Sequence, residues 1–119
     1  MYKRQVDVYT EEKKFTLELT INNTNITGIQ QAVQTAKDAD VVIMVLGEHG
    51  FLSGEARSRT QLDLPGLQQE LLEAVHSVNK NIVLVLNNGR PLVLNWAHEN
   101  IPAIVEAWQL GTQLSLIHI

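Results

Sequence analysis

The chain has 119 residues, enough for one small domain with one core, and its 45% hydrophobic and 18% charged residues are ordinary for a globular protein. A net charge of −4 and the lack of a basic stripe argue against phosphate-backbone binding, so no nucleic-acid partner is expected. Without cysteine there is no disulfide, zinc–thiolate site or thiol nucleophile. No run approaches the roughly 18 apolar residues of a membrane span, and no signal peptide is visible at Met1.

In chain order, Val6 to Tyr9 and Phe15 to Ile21 alternate apolar and polar residues, the period of half-buried strands, with Glu11 to Lys14 as the turn between them. Asn22 to Gly28 reads as a polar linker. Its two sequons, at Asn22 and Asn25, are read as plain turn chemistry. Ile29, Ala32, Val33 and Ala36 have helical spacing, closed by Asp38 and Asp40. Val41 to Leu46 is a continuous, β-branched-rich run that suits a strand buried on both faces. After a long polar loop, Pro65 opens a second helix with a stripe of Leu67, Leu71, Ala74, Val75 and Val78, ended by Asn79-Lys80-Asn81. Ile82 to Leu86 is a second buried strand. Asn87 to Pro91 is a tight turn in which Gly89 is expected to take a positive φ. Leu92 to His98 reads as a short helix and Ile101 to Glu106 as a third strand. Alternating strands and helices predict an α/β fold with a mostly parallel sheet, preceded by a short β-hairpin-like segment.

The loop from Gly47 to Leu64 spans eighteen residues. Loops beyond about 12–15 residues are uncommon in compact domains and are usually functional or disordered. This one leaves the end of a parallel strand, the edge on which open α/β sheets bind ligands. Glu55 stands in its middle, in Ser53-Gly54-Glu55-Ala56-Arg57, and small flanks leave room for a ligand at its carboxyl. Such a group serves as a general acid or base where its surroundings tune it; chemistry alone describes a solvated loop glutamate as well. Glu48 is expected to bond loop backbone, while His49 is open between ligand contact and structure. Arg57 and Arg59 would either clamp a carboxylate or pin the loop by pairing with Asp63 or Glu55, the pinning role being favoured. His49 and His76 lack metal-ligand spacing, so no metal is expected, and His76 is assigned a surface role. Trp96 and Trp108 are read as core or interface. Gly47-Glu48-His49-Gly50 lacks the dinucleotide fingerprint, and no cofactor is expected.

Read together, the segments from about Gly28 to Gln113 resemble the C-terminal α/β sandwich domain of glycoside hydrolase family 3, the β-glucosidase and β-xylosidase family. The resemblance lies in Ala39-Asp40-Val41-Val42 leading to Gly47-Glu48, in Ser53 to Thr60 with Leu62-Asp63-Leu64-Pro65-Gly66, in Val83 to Leu86 with Asn88-Gly89-Arg90-Pro91, and in Pro102 to Trp108. It is their order and spacing together that are specific. The resemblance implies part of a three-layer α/β sandwich whose long loop lends an acid/base glutamate, at Glu55, to an N-terminal barrel that holds an aspartate nucleophile. It implies a retaining, exo-acting β-glycosidase, a β-linked glucoside or xyloside substrate, and a periplasmic or secreted parent. The barrel has no counterpart in this chain, so the chain alone is expected to be inactive. A noncatalytic α/β module that binds sugar or rests against a barrel is the alternative. Residues 1–27 fall outside the resemblance as a β segment and linker, and 28–113 form the domain part. Residues 114–119, Leu-Ser-Leu-Ile-His-Ile, read as a translated sequencing adapter rather than as a native edge strand.

Overall fold

The structure, a computed structural model, describes the backbone of residues 3–9, 14–20 and 26–109, and the side chains from residue 28 onward. Two strands, β1 (Lys3–Tyr9) and β2 (Lys14–Thr20), pair antiparallel. Helix α1 (Ile26–Lys37) follows, then strand β3 (Val41–Gly47). Helix α2 (Gln68–Val78) leads to β4 (Ile82–Asn87), and helix α3 (Asn95–Asn100) to β5 (Ala103–Glu106). One five-stranded sheet has the order β2-β1-β3-β4-β5, with β3, β4 and β5 parallel. The hairpin does not merely precede this sheet. It extends it, with β1 antiparallel to β3 through Val8 opposite Val42 and Tyr9 opposite Val41.

Several boundaries move for physical reasons. Helix α1 begins at Ile26, inside the stretch read as a linker. Helix α2 begins at Gln68 rather than Pro65, because Gly66 takes a left-handed φ of 63° and turns the chain before the first helical hydrogen bond, from Leu71 N to Leu67 O. Helix α3 starts at Asn95 and its C-cap is Ile101, so β5 begins only at Ala103. Leu72 joins the buried stripe of α2, whereas Val78 is exposed. The facing of Phe15 to Ile21, the sequons and residues 114–119 lie outside what is described.

The core lies on one side of the sheet. Val42, Met44 and Leu46 of β3 and Ile82, Leu84 and Leu86 of β4 are all buried and face Ala32 and Ala36 of α1 and Leu71, Leu72 and Val75 of α2. Side chains alternate across a strand, so Ile43, Val45, Val83 and Val85 point the other way. No described helix covers them: Val45 is 38% exposed and Val105 on β5 is 47% exposed. The expectation of strands buried on both faces is therefore corrected. Their two-sided apolarity is a property of the sequence, and the described helices satisfy only one side of it. Asn79 clips the layers together, its Nδ2 donating to the carbonyls of Ala36 and Ala39 at 2.9 and 2.6 Å.

Candidate functional site

The loop leaves β3 at Gly47, where two constraints meet. Gly47 has φ 131°, and a Cβ there would collide with the carbonyl of Asn87 on β4, so only glycine fits. Its backbone is gripped from α2: the buried Gln68 accepts from Gly47 N at 2.6 Å and donates to Gly47 O at 2.9 Å. The first residue of α2 thus continues the hydrogen bonding of a strand that has just ended.

Next comes Glu48, 4% exposed, the charged centre of the region. Its Oε1 accepts from Arg59 Nη1 at 2.6 Å, and Arg90 Nε stands 3.1 Å from the same oxygen. The Arg90 contact is an ion pair without hydrogen-bond alignment, so Arg90 Nε makes no hydrogen bond among the described residues. The Oε2 of Glu48 accepts from Gly89 N at 3.2 Å. A buried carboxylate with two guanidinium partners and a backbone donor is the arrangement that burial of charge demands. The partners of the Glu48 carboxylate are thus two arginines and the backbone of the β4 exit turn, rather than the backbone of its own loop as expected.

Arg57 and Arg59 part company. Arg59 pins the loop, through Glu48 and through the backbone carbonyl of Asp63 at 3.0 Å, rather than through the carboxylates of Asp63 or Glu55. The side chain of Arg57 is exposed and pairs with none of the described residues. The second pinning cation is Arg90, which sequence reasoning left inside a turn. Its Nη2 donates to the carbonyls of Leu52 and Arg57 at 2.6 and 2.8 Å. A cation leaving a neighbouring strand, within reach of a loop full of unmatched carbonyls, was the signal available. Gly89 does not take a positive φ; it is required because a Cβ would run into Ser53.

Glu55 lies in the bend that these contacts hold. Gly54 at φ 137° and Ala56 at φ 57° shape it, and Arg57 N donates to Gly54 O at 3.2 Å. Its carboxyl is exposed and carries no ion pair with a described residue, on a segment tied down on both sides. His49 works within the loop: its Nδ1 accepts from Phe51 N at 3.2 Å, and its ring lies 5.1 Å from that of Phe51. His76 stands half-buried on α2, edge-on to Trp96 with ring centres 5.3 Å apart, and Trp96 rests against the core. Trp108 lies outside the core, half exposed at φ 51°, its backbone N–H donating to Glu106 Oε1 at 3.2 Å. The buried Asn88 donates from Nδ2 to Arg90 O at 2.7 Å, while its Oδ1 has no donor among the described residues. No group of three or more acidic or histidine side chains suited to a metal occurs among the described residues.

Between the bend and the β4 exit turn lies an open cleft of about 610 Å³, lined among others by Ser53, Arg57, Ser58, Arg90 and Gln109. Glu55 is not in its wall, but Gly54 and Ala56 on either side of it are.

Comparison with known proteins gives a consistent result. The profile of the glycosyl hydrolase family 3 C-terminal domain matches residues 3–116. A β-xylosidase of Formosa agariphila is 45% identical over 84 residues, covering 71% of this chain and 12% of that protein. A periplasmic β-glucosidase of Salmonella typhimurium is 46% identical over 85 residues, covering 71% of this chain and 11% of that protein. The crystal structure of a family 3 β-glucosidase from Bifidobacterium adolescentis superposes with a TM-score of 0.68 at 44% identity, over 82% of this chain and 14% of that one. The chain therefore spans about an eighth or less of the length of these two curated relatives.

Proposed function

The chain belongs to glycoside hydrolase family 3, as part of its C-terminal domain, and on that premise we propose that it carries the acid/base loop of a retaining, exo-acting β-glycosidase, with Glu55 as the proton donor. The nucleophile stands on a separate N-terminal barrel of the same parent, and the substrate is a β-linked glucoside or xyloside. The observation that carries this reading is the setting of Glu55: an exposed carboxylate with small flanks, in a bend of a long loop at the carboxyl edge of a parallel sheet, held by Arg90 and, through the rest of the loop, by Glu48 and Arg59. A residue that must reach across to another domain needs that combination of projection and fixed footing.

Retaining hydrolysis uses two carboxyl groups about 5–5.5 Å apart across the glycosidic bond. One attacks the anomeric carbon. The other gives its proton to the leaving oxygen and then takes one from the incoming water. In the separate chain Glu55 faces water and no nucleophile is at hand, so this chain alone should not turn over substrate. The names of the relatives support a β-glucosidase or β-xylosidase parent, and the periplasmic or secreted location proposed for it rests on the name of the Salmonella relative alone.

The test compares the full-length parent with its Glu55→Ala variant on aryl β-glucosides and β-xylosides, with and without azide. Turnover of substrates with poor leaving groups should fall by about 100-fold or more, the usual scale of acid–base assistance. Azide should restore the rate on activated substrates and yield a β-glycosyl azide, since a small anion replaces the base-activated water. Near-normal turnover on poor leaving groups would instead leave Glu55 a loop residue and favour the noncatalytic module.

A further inference from the structure

Of the three arginines around the loop, two hold it through hydrogen bonds and ion pairs. Arg59 is bound to Glu48 and the Asp63 carbonyl, and Arg90 to two loop carbonyls and Glu48. Arg57 is not: it is exposed and lines the cleft, and its guanidinium has no partner among the described residues. The Ser53 and Ser58 hydroxyls and the Gln109 amide share that wall and likewise make no hydrogen bond with described residues. No lining residue is acidic, although the chain as a whole carries −4. The cleft is thus a local cationic concavity with uncommitted hydroxyl and amide groups. Its volume of about 610 Å³ falls within the roughly 300–1,000 Å³ of small-molecule sites.

We propose that this cleft binds an anionic saccharide, with Arg57 clamping the acidic group while Ser53, Ser58 and Gln109 meet sugar hydroxyls. The planar guanidinium offers a fork of donors that matches a carboxylate, sulfate or phosphate bidentately, which a neutral sugar cannot exploit. Hydroxyls and a carboxamide both donate and accept, as a polyhydroxylated ring requires. Glu55 stands between two lining residues, and a proton donor must sit beside the leaving oxygen. The cleft therefore lies on the leaving-group side of the scissile bond and selects for an acidic unit there. That last placement rests on the proposed role of Glu55; the binding itself does not.

The test is an amide NMR titration with glucuronate, glucose 6-phosphate and glucose, made on the 119-residue chain carrying Val45→Lys and Val105→Lys to replace the exposed valines on the sheet face away from the helices. The two acids should move the amide signals of Ser53, Arg57, Ser58 and Gly89 at concentrations where glucose leaves them in place. A response to only one acid identifies a carboxylate or a phosphate as the group read. Arg57→Gln should weaken the response by about tenfold, the scale of one charge-assisted pair. Equal shifts with glucose, shifts elsewhere, or an unaffected Arg57→Gln variant would overturn the proposal. If the chain alone gives no dispersed spectrum, inhibition of the full-length parent decides. The ratio of glucose to glucuronate inhibition constants should change about tenfold on Arg57→Gln, and an unchanged ratio rejects the site. Glu55→Ala should preserve the acid-induced shifts whether or not it abolishes turnover, so the two readings fail separately.

Discussion

Glu48 concentrates more of the architecture than any other charged side chain among the described residues. It is almost wholly withdrawn from water, while Arg59 and Arg90 keep 17% and 22% of their side-chain surface exposed. Removing one member of a buried pair typically costs 3–5 kcal/mol, because the partner charge is stranded. Partial hydration of the two arginines puts the expectation near the low end, so Glu48→Ala should lower unfolding free energy by about 3 kcal/mol in urea denaturation of the parent. Turnover should suffer too, through loosening of the Glu55 bend, but azide should not restore it. That difference separates a positioning residue from a proton donor. Sequence reasoning found Glu48 because a carboxylate directly after a buried strand has few outlets other than backbone and cations. It could not choose between Arg57 and Arg59, since both precede the same turn with the same chemistry. Only the path of the loop decides which one turns inward.

At the scale of elements, the junction of β3 and α2 depends on Gln68. This polar residue sits on the apolar stripe, three and four positions before Leu71 and Leu72, and its amide holds both polar groups of Gly47. Gln68→Leu keeps the bulk and removes two buried hydrogen bonds. At about 1 kcal/mol each, it should destabilise by about 2 kcal/mol, read as a lower urea midpoint with an unchanged slope. A glutamine out of place on a helical stripe is visible in the sequence, but its partner, 21 residues away, is not. The helices and parallel strands themselves were legible from period and composition. Their ends were not, because Gly66 and Ile101 act through backbone turns that apolar spacing does not encode.

For the molecule as a whole, the bare side of the sheet is the dominant fact. Val45 and Val105 are exposed on the face opposite the helices, and β5 forms one margin of the sheet among the described strands. Exposed apolar surface beside an open strand edge favours self-association. The chain by itself should sediment as aggregates or larger species. Val45→Lys with Val105→Lys should shift it toward monomer while changing unfolding free energy by less than about 0.5 kcal/mol per site, the usual range for surface changes. A double variant that aggregates as before would point to the strand edge instead. The sequence announced two apolar faces; it could not say that the elements needed to cover the second would be missing among the described residues.

The two bonds from Arg90 Nη2 have a geometric corollary. One nitrogen reaches the carbonyls of Leu52 and Arg57, five positions apart, and so closes the intervening chain into a ring of set circumference. An inserted or deleted residue between them would have to break one of the two bonds or bulge toward the cleft. A second and shorter tie closes the end of the loop, where Arg59 Nη2 donates to the carbonyl of Asp63, four positions on, and Leu62 O accepts from Val93 N at 2.9 Å. A change of length around Thr60 and Gln61 would therefore strain the Arg59 tie, whereas one between Leu52 and Arg57 would strain the ring that holds Glu55 itself.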